Sequence, residues 1–179
     1  MRIACVLESD FEDSEFQTPY QAFKDAGHEV VVVGLKGGKE LRGKQGKVTI
    51  TSDMAFSEAS PADFDAIFIP GGYSPDRLRA HPEAVDFVRA FSKYDRPVLA
   101  ICHGPQLMMS AHMVEGRTMT AWKTVQDDLR HFAATVVDQE VVVDGKLVSS
   151  RQPGDIPAFI RESLKVMRGA PVVSGAPPS

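Results

Sequence analysis

The 179-residue sequence predicts an α/β fold, a doubly wound sandwich on a mostly parallel sheet, and three observations carry that prediction. Short apolar runs without strict alternation recur at residues 2–7, 28–34, 66–69 and 98–101, the pattern of strands covered on both faces. Segments with helical spacing lie between them, and strand-helix-strand order implies right-handed crossovers. Several of the runs stop at turns rich in acidic residues, glycine or cysteine. In such sheets the working site lies at the carboxyl ends of the strands.

The elements follow in order. Residues 2–7 form the first strand. A helix is expected over residues 14–26, with Phe16, Tyr20 and Phe23 at helical spacing, acids in its first turn, Gly27 as its stop and Pro19 as a kink. Residues 28–34 are the second strand. The glycine- and lysine-rich stretch 36–47 reads as a loop, and 47–51 as a short third strand. Ala66 to Ile69 is the fourth, running into Pro70-Gly71-Gly72; Ser74 then caps a helix with Pro75 at its first position. A helix over 83–94 precedes the fifth strand, Val98 to Ile101, and the helical run 107–111 follows Cys102. Residues 122–131 are helical, 135–137 and 140–143 are strands, Asp144-Gly145 turns a hairpin into the strand 147–150, and a last helix ends near Arg168. This gives one domain over residues 1–168 and a Pro/Gly/Ser-rich tail, 169–179, whose composition is that of a disordered segment.

Composition excludes several functions. Twenty basic against 24 acidic residues leave a formal charge of −4, with no basic stripe for nucleic acid and no polybasic membrane anchor. The apolar N-terminus meets Glu8 and Asp10 too early for a signal core, so a cytoplasmic protein is expected. No CxxC pair suggests zinc, no spacing among the five histidines matches a metal site, and no cofactor is expected.

Three strand ends converge on one site: residues 8–13, 70–76 and 102–103. Cys102 sits between a buried strand and a helix with Gly104 to permit a tight turn, the elbow that exposes a nucleophile. The start of that helix is expected to hold its thiol below the ~8.5 of free cysteine. Cys5, in mid-strand, reads as core. His103 adjoins the nucleophile without necessarily facing it. Glu12 is either a partner of the thiol or a solvated loop acid. Gly71 and Gly72, with amides of the elbow, form either an oxyanion hole or a plain turn.

Phe11-Glu12-Asp13, Pro70-Gly71-Gly72, Ala100-Ile101-Cys102-His103-Gly104-Pro105, Asp127-Asp128, Val142-Val143-Asp144-Gly145 and Ser149-Ser150-Arg151 together resemble the PfpI family, of the class I glutamine-amidotransferase-like superfamily, over residues 1–168. The resemblance implies a flavodoxin-like three-layer sandwich and homo-oligomers built from dimers. It also implies Cys102 as nucleophile with His103 beside it, Glu12 hydrogen-bonded to the thiol, and Asp76 of a neighbouring subunit orienting His103. Pocket positions would be Gly71, Gly72, His103 and Trp122. Peptidase-type members carry glutamate where this chain has Asp76, and many members carry tyrosine where it has Trp122. The implied activity is that of a cysteine-dependent hydrolase, glyoxalase or deglycase on small aldehydes, glycated groups or peptides, in stress response; the alternative is a redox sensor with an oxidisable Cys102.

Overall fold

A computed structural model describes residues 1–172. Its strands are β1 (Arg2–Val6), β2 (Glu29–Gly34), β3 (Glu40–Arg42), β4 (Thr49–Thr51), β5 (Met54–Ala55), β6 (Ala66–Ile69), β7 (Val98–Ile101), β8 (Thr118–Met119), β9 (Thr135–Val136), β10 (Val142–Asp144) and β11 (Leu147–Ser150). Its α-helices are α1 (Asp13–Asp25), α2 (Ser74–Leu78), α3 (Pro82–Ala90), α4 (Pro105–Ser110), α5 (Lys123–His131) and α6 (Ile156–Arg168). The main sheet runs β10-β11-β7-β6-β1-β2-β5, parallel throughout except for the β10–β11 hairpin.

Side chains of a strand alternate between faces, and each face of this sheet is covered. Ile3 and Cys5 of β1 pack with Phe16 and Phe23 of α1 and Phe159 of α6, where Phe68 meets the Phe23 ring edge-on at 5.5 Å. Ala4 and Val6 face the opposite core, built on α3, α4 and α5 through Val88, Leu107 and Leu129. The result is the three-layer, single-domain sandwich that unbroken apolar strands require. No helix among the described residues is long and apolar enough to cross a membrane.

Local departures from the sequence reading have physical causes. The 36–47 loop contains β3, which pairs antiparallel with β4; the strand read at 47–51 therefore joins a separate ribbon instead of the main sheet. Likewise β9 pairs with β8 outside the main sheet. Pairings of two or three residues depend on tertiary context more than on intrinsic propensity. Pro19 lies inside α1 without ending it. Tyr73, not Ser74, precedes α2 as its cap position, and the Ser74 hydroxyl instead accepts the Glu8 N–H at 2.9 Å, tying the ends of β1 and β6 together. The hairpin pairs Asp144 with Leu147, so Gly145, at φ 57°, and Lys146 make its turn. Helix α6 ends at Arg168; the tail beyond it is described only through Val172, and residues 173–179 lie outside the described residues.

Candidate active site

The site forms where the carboxyl ends of β1, β6 and β7 meet. The Tyr73 N–H donates to the Asp10 carbonyl at 2.8 Å, that of Glu12 to the Gly71 carbonyl at 3.1 Å, and Phe11 bridges Gly72. Gly72 adopts φ 79°, and a Cβ there would stand 2.3 Å from the Glu12 nitrogen, so only glycine admits this crossing of the two loops.

Cys102 follows β7 directly and adopts φ 61°, a left-handed conformation that costs a non-glycine residue about 1–3 kcal/mol. Surrounding bonds hold it there: its N–H donates to the Ser150 carbonyl at 2.9 Å, and its carbonyl accepts the Trp122 N–H at 3.0 Å. Gly104 closes the elbow against the backbone of Ile69, where a Cβ would lie 2.6 Å from the carbonyl oxygen. The elbow aims the thiol into a cavity of about 240 Å³ whose walls include Glu15, Lys44, His103, Trp122 and Pro153. Cys102 is 7% exposed, whereas Cys5 is 0% exposed within β1, its thiol pushed well up by burial and then by the charge of Asp53.

The acid beside the thiol is Glu15, and this corrects the placement of Glu12. Glu12 turns toward the β3–β4 ribbon, where its carboxylate pairs with Lys44 at 2.9 Å and accepts from the Gln45 side-chain amide at 2.8 Å. Glu15, one turn further along α1, is fully buried, and neither of its oxygens has a hydrogen-bond partner among the described residues. The group it faces is the Cys102 sulfur. Burial raises its pKa to about 8, with the neighbouring Cys102 opposing and the Glu12 charge adding, so the carboxyl is protonated at neutral pH.

Burial also raises the Cys102 thiol, followed by Glu15 beside it, while the N–H groups of His103 and Gly72 pull it down. This reverses the lowering expected from the start of α4. That helix has only six residues, and burial of the sulfur, with Glu15 beside it, outweighs it. A protonated Glu15 removes the like charge and offers a donor to the sulfur.

His103 places Nδ1 3.3 Å from Cys102 Sγ, with its ring stacked on Trp122 at a centroid distance of 6.2 Å. Burial, then Lys44, lowers its pKa, with the Asp76 charge opposing, so the imidazole is neutral at pH 7 and can accept the thiol proton. Asp76 is exposed on α2 and forms no hydrogen bond or ion pair among the described residues. Gly71 contributes space: a Cβ there would stand 2.3 Å from Glu15 Oε1 and 2.8 Å from Cys102 Cβ. Gly72 and His103 supply the amides at the sulfur.

Sequence reasoning thus brought Cys102, His103, Gly71, Gly72, Glu12 and Trp122 to one pocket region, but missed Glu15, Lys44 and Pro153. A signal for Glu15 was present. With Phe16, Pro19 and Phe23 it belongs to the buried face of α1, and a carboxyl on an apolar stripe marks a buried acid.

The chain is 47% identical over 167 residues to protein/nucleic acid deglycase 2 of Escherichia coli (strain K12), covering 93% of this chain and 97% of that protein. It is 48% identical over 167 residues to general stress protein 18 of Bacillus subtilis (strain 168), with the same coverage. Among solved structures, a two-domain protein from Anabaena variabilis with DJ-1/ThiJ/PfpI-like and ferritin-like domains superposes with a TM-score of 0.91 at 33% identity, covering 99% of this chain and 52% of that one. Drosophila melanogaster DJ-1beta superposes with a TM-score of 0.84 at 25% identity, covering 98% and 91%. The DJ-1/PfpI family model matches residues 1–166, and the chain belongs to the DJ-1/PfpI family.

Proposed function

We propose that the protein is an intracellular cysteine-dependent deglycase or glyoxalase-type enzyme, acting through Cys102 on small aldehydes and on their adducts with amines during stress. The observation that carries this reading is the fully buried Glu15 packed against a thiol held at a left-handed elbow, with the amides of Gly72 and His103 at the sulfur. The names of the relatives, a deglycase and a stress protein, support it.

Neutral His103 takes the thiol proton through Nδ1. The sulfur adds to the carbonyl carbon, a C–S bond forms, and the π pair moves to oxygen as an alkoxide facing the Gly72 and His103 amides. A carbinolamine adduct collapses first: its oxygen re-forms the C=O as the C–N bond breaks, neutral His103 passes the hydroxyl proton to the departing amine, and the freed aldehyde then takes the sulfur by the addition above. Glu15 keeps its proton and donates to the sulfur. A pocket of about 240 Å³ suits a three-carbon dicarbonyl better than a peptide chain lying across the thiol.

Asp76, exposed on α2 and without a hydrogen bond or ion pair among the described residues, is the acid we assign to orienting His103 across a homo-oligomer interface. The redox-sensing alternative is supported by the same acid, which can hydrogen-bond an oxidised sulfur, and by both cysteines being free.

Turnover of methylglyoxal by wild type and by Cys102→Ser tests the enzyme reading. Turnover by wild type, lost in Cys102→Ser, is expected. A wild-type protein that leaves methylglyoxal intact but takes up peroxide oxygens at Cys102 would favour the sensor.

A further inference from the structure

Two walls of the Cys102 pocket come from segments far apart in the chain. Trp122 stands just before α5, its N–H on the Cys102 carbonyl at 3.0 Å and its ring stacked on His103. Pro153 stands in the turn between β11 and α6. A surface cavity of about 390 Å³ lies between α5 and that turn, with Gln126, Asp138, Arg151 and Gln152 among its lining residues. Across it the two segments are held by side-chain bonds rather than by packing.

Asp138, in the loop after β9, spans this gap. Its Oδ1 accepts the Gln126 side-chain amide at 3.1 Å from one side and Arg151 Nη1 at 3.1 Å from the other. Gln126 is buried one turn into α5, and its amide also donates to the carbonyl of Ala121, the residue before Trp122, at 3.1 Å. Arg151 is fixed in turn by the buried Asp155: its Nε and Nη2 reach the two carboxylate oxygens at 2.9 and 3.1 Å, and its backbone N–H reaches the first of these at 3.0 Å. Such a fork holds a guanidinium in one orientation, where an ammonium would swivel. Pro153 lies inside the loop that these bonds close. Among the described residues, no other hydrogen bond or ion pair joins residues 121–126 to residues 151–155. The Gln126 bond, then the Arg151 bond, holds the Asp138 carboxyl low, so the bridge is intact at neutral pH.

We propose that Asp138 is a positioning residue: by joining Gln126 to Arg151 it sets the gap between Trp122 and Pro153, and with it the width of ligand that reaches Cys102. Asp138 does not line the catalytic pocket and acts through the residues it joins. Its side chain is 67% exposed, so its replacement leaves the core untouched. Both bonds end on one oxygen, and asparagine supplies that oxygen without the charge; Asp138→Asn therefore retains the bridge, and Asp138→Ala removes it.

Alkylation of Cys102 by iodoacetamide and by iodoacetanilide, its N-phenyl derivative, tests the proposal. The two reagents share one reacting group, so the ratio of their rates cancels the thiolate fraction and the folded fraction and reads the width of the entrance. Peptide mapping assigns both rates to Cys102. In Asp138→Ala the bulky-to-small ratio is expected to rise about threefold or more, while Asp138→Asn stays near wild type. Asp127→Ala is the control: it removes an equally exposed acid of the same cavity, paired with Arg130 at 2.8 Å and not part of the bridge. An Asp138→Ala ratio at or below the wild-type value, or a rise shared by Asp138→Asn or Asp127→Ala, would overturn the proposal. Its consequence for turnover rests on the carbonyl reading of Cys102: KM for methylglyoxal should rise about threefold in Asp138→Ala with kcat kept within about twofold. Absence of turnover by the wild-type protein would strike that reading alone, and the alkylation ratio would still decide the role of Asp138.

Discussion

Glu15→Gln is expected to remove a loss of stability of about 5 kcal/mol that the wild-type protein undergoes from well below pH 4.5 to well above pH 8. The carboxyl titrates near 4.5 in the unfolded chain and at about 8 in the folded one, and each unit of difference is worth about 1.4 kcal/mol. Because the folded pKa is the higher, the folded state binds more protons throughout that window. The stabilisation is therefore full below pH 4.5 and is lost as pH rises through 8. Glutamine does not titrate, so its curve lacks this decline. His28 and His103 work in the opposite direction, since burial lowers both; their contribution is common to the two proteins and cancels in the difference. The thiols are raised from a higher starting value and act above the window. Urea unfolding of both proteins at pH 5 and pH 8 measures the difference. Parallel curves would mean that Glu15 ionises freely and is not the buried neutral acid described above.

Gly71→Ala is expected to destabilise the protein by about 1–3 kcal/mol and to lower activity at least about tenfold. Backbone strain is not the reason, because Gly71 is not among the residues at positive φ. The added methyl would lie 2.3 Å from Glu15 Oε1, 2.8 Å from Cys102 Cβ and 3.0 Å from the Ile101 carbonyl oxygen. The backbone at Ile101 belongs to a central strand and cannot give way, so the Glu15 carboxyl is driven off the thiol. Gly154→Ala is the control, since nothing lies within 4 Å of its Cβ position. Chemical denaturation and methylglyoxal kinetics on both variants read the outcome. Wild-type behaviour in Gly71→Ala would show that the pair is not packed through this position.

The central sheet was legible because its strands are apolar on both faces: the runs ending at Val6, Gly34, Ile69, Ile101 and Ser150 are all strands of it. The elbow was legible for the same reason, since Cys102 is where a buried run stops against Gly104 and Pro105. The β3–β4 and β8–β9 pairs were harder to read, being two or three residues long and determined by what packs beside them. Ser74 has the composition of a helix cap, yet its hydroxyl is taken by the Glu8 amide, a partner 66 residues away. The acid at the thiol was misplaced by one helical turn. Glu12 and Glu15 both follow β1, and only the three-dimensional arrangement shows that Lys44 and Gln45 draw Glu12 outward while Glu15 points into the core.

The claim on which the account turns is that Cys102 and Glu15 titrate as one coupled pair. The rate of iodoacetamide alkylation of Cys102, followed by peptide mapping from pH 5 to pH 11, tests it most directly. A coupled pair loses its first proton to give one shared charge and resists the second ionisation by like-charge repulsion. The wild-type rate should therefore rise once, with that first proton, and then level off to the top of the range, the second ionisation being pushed above it, with Cys5 unlabelled. Glu15→Gln, with a single ionisable group left, should rise in one step. Superimposable single-step profiles for the two proteins would contradict the account.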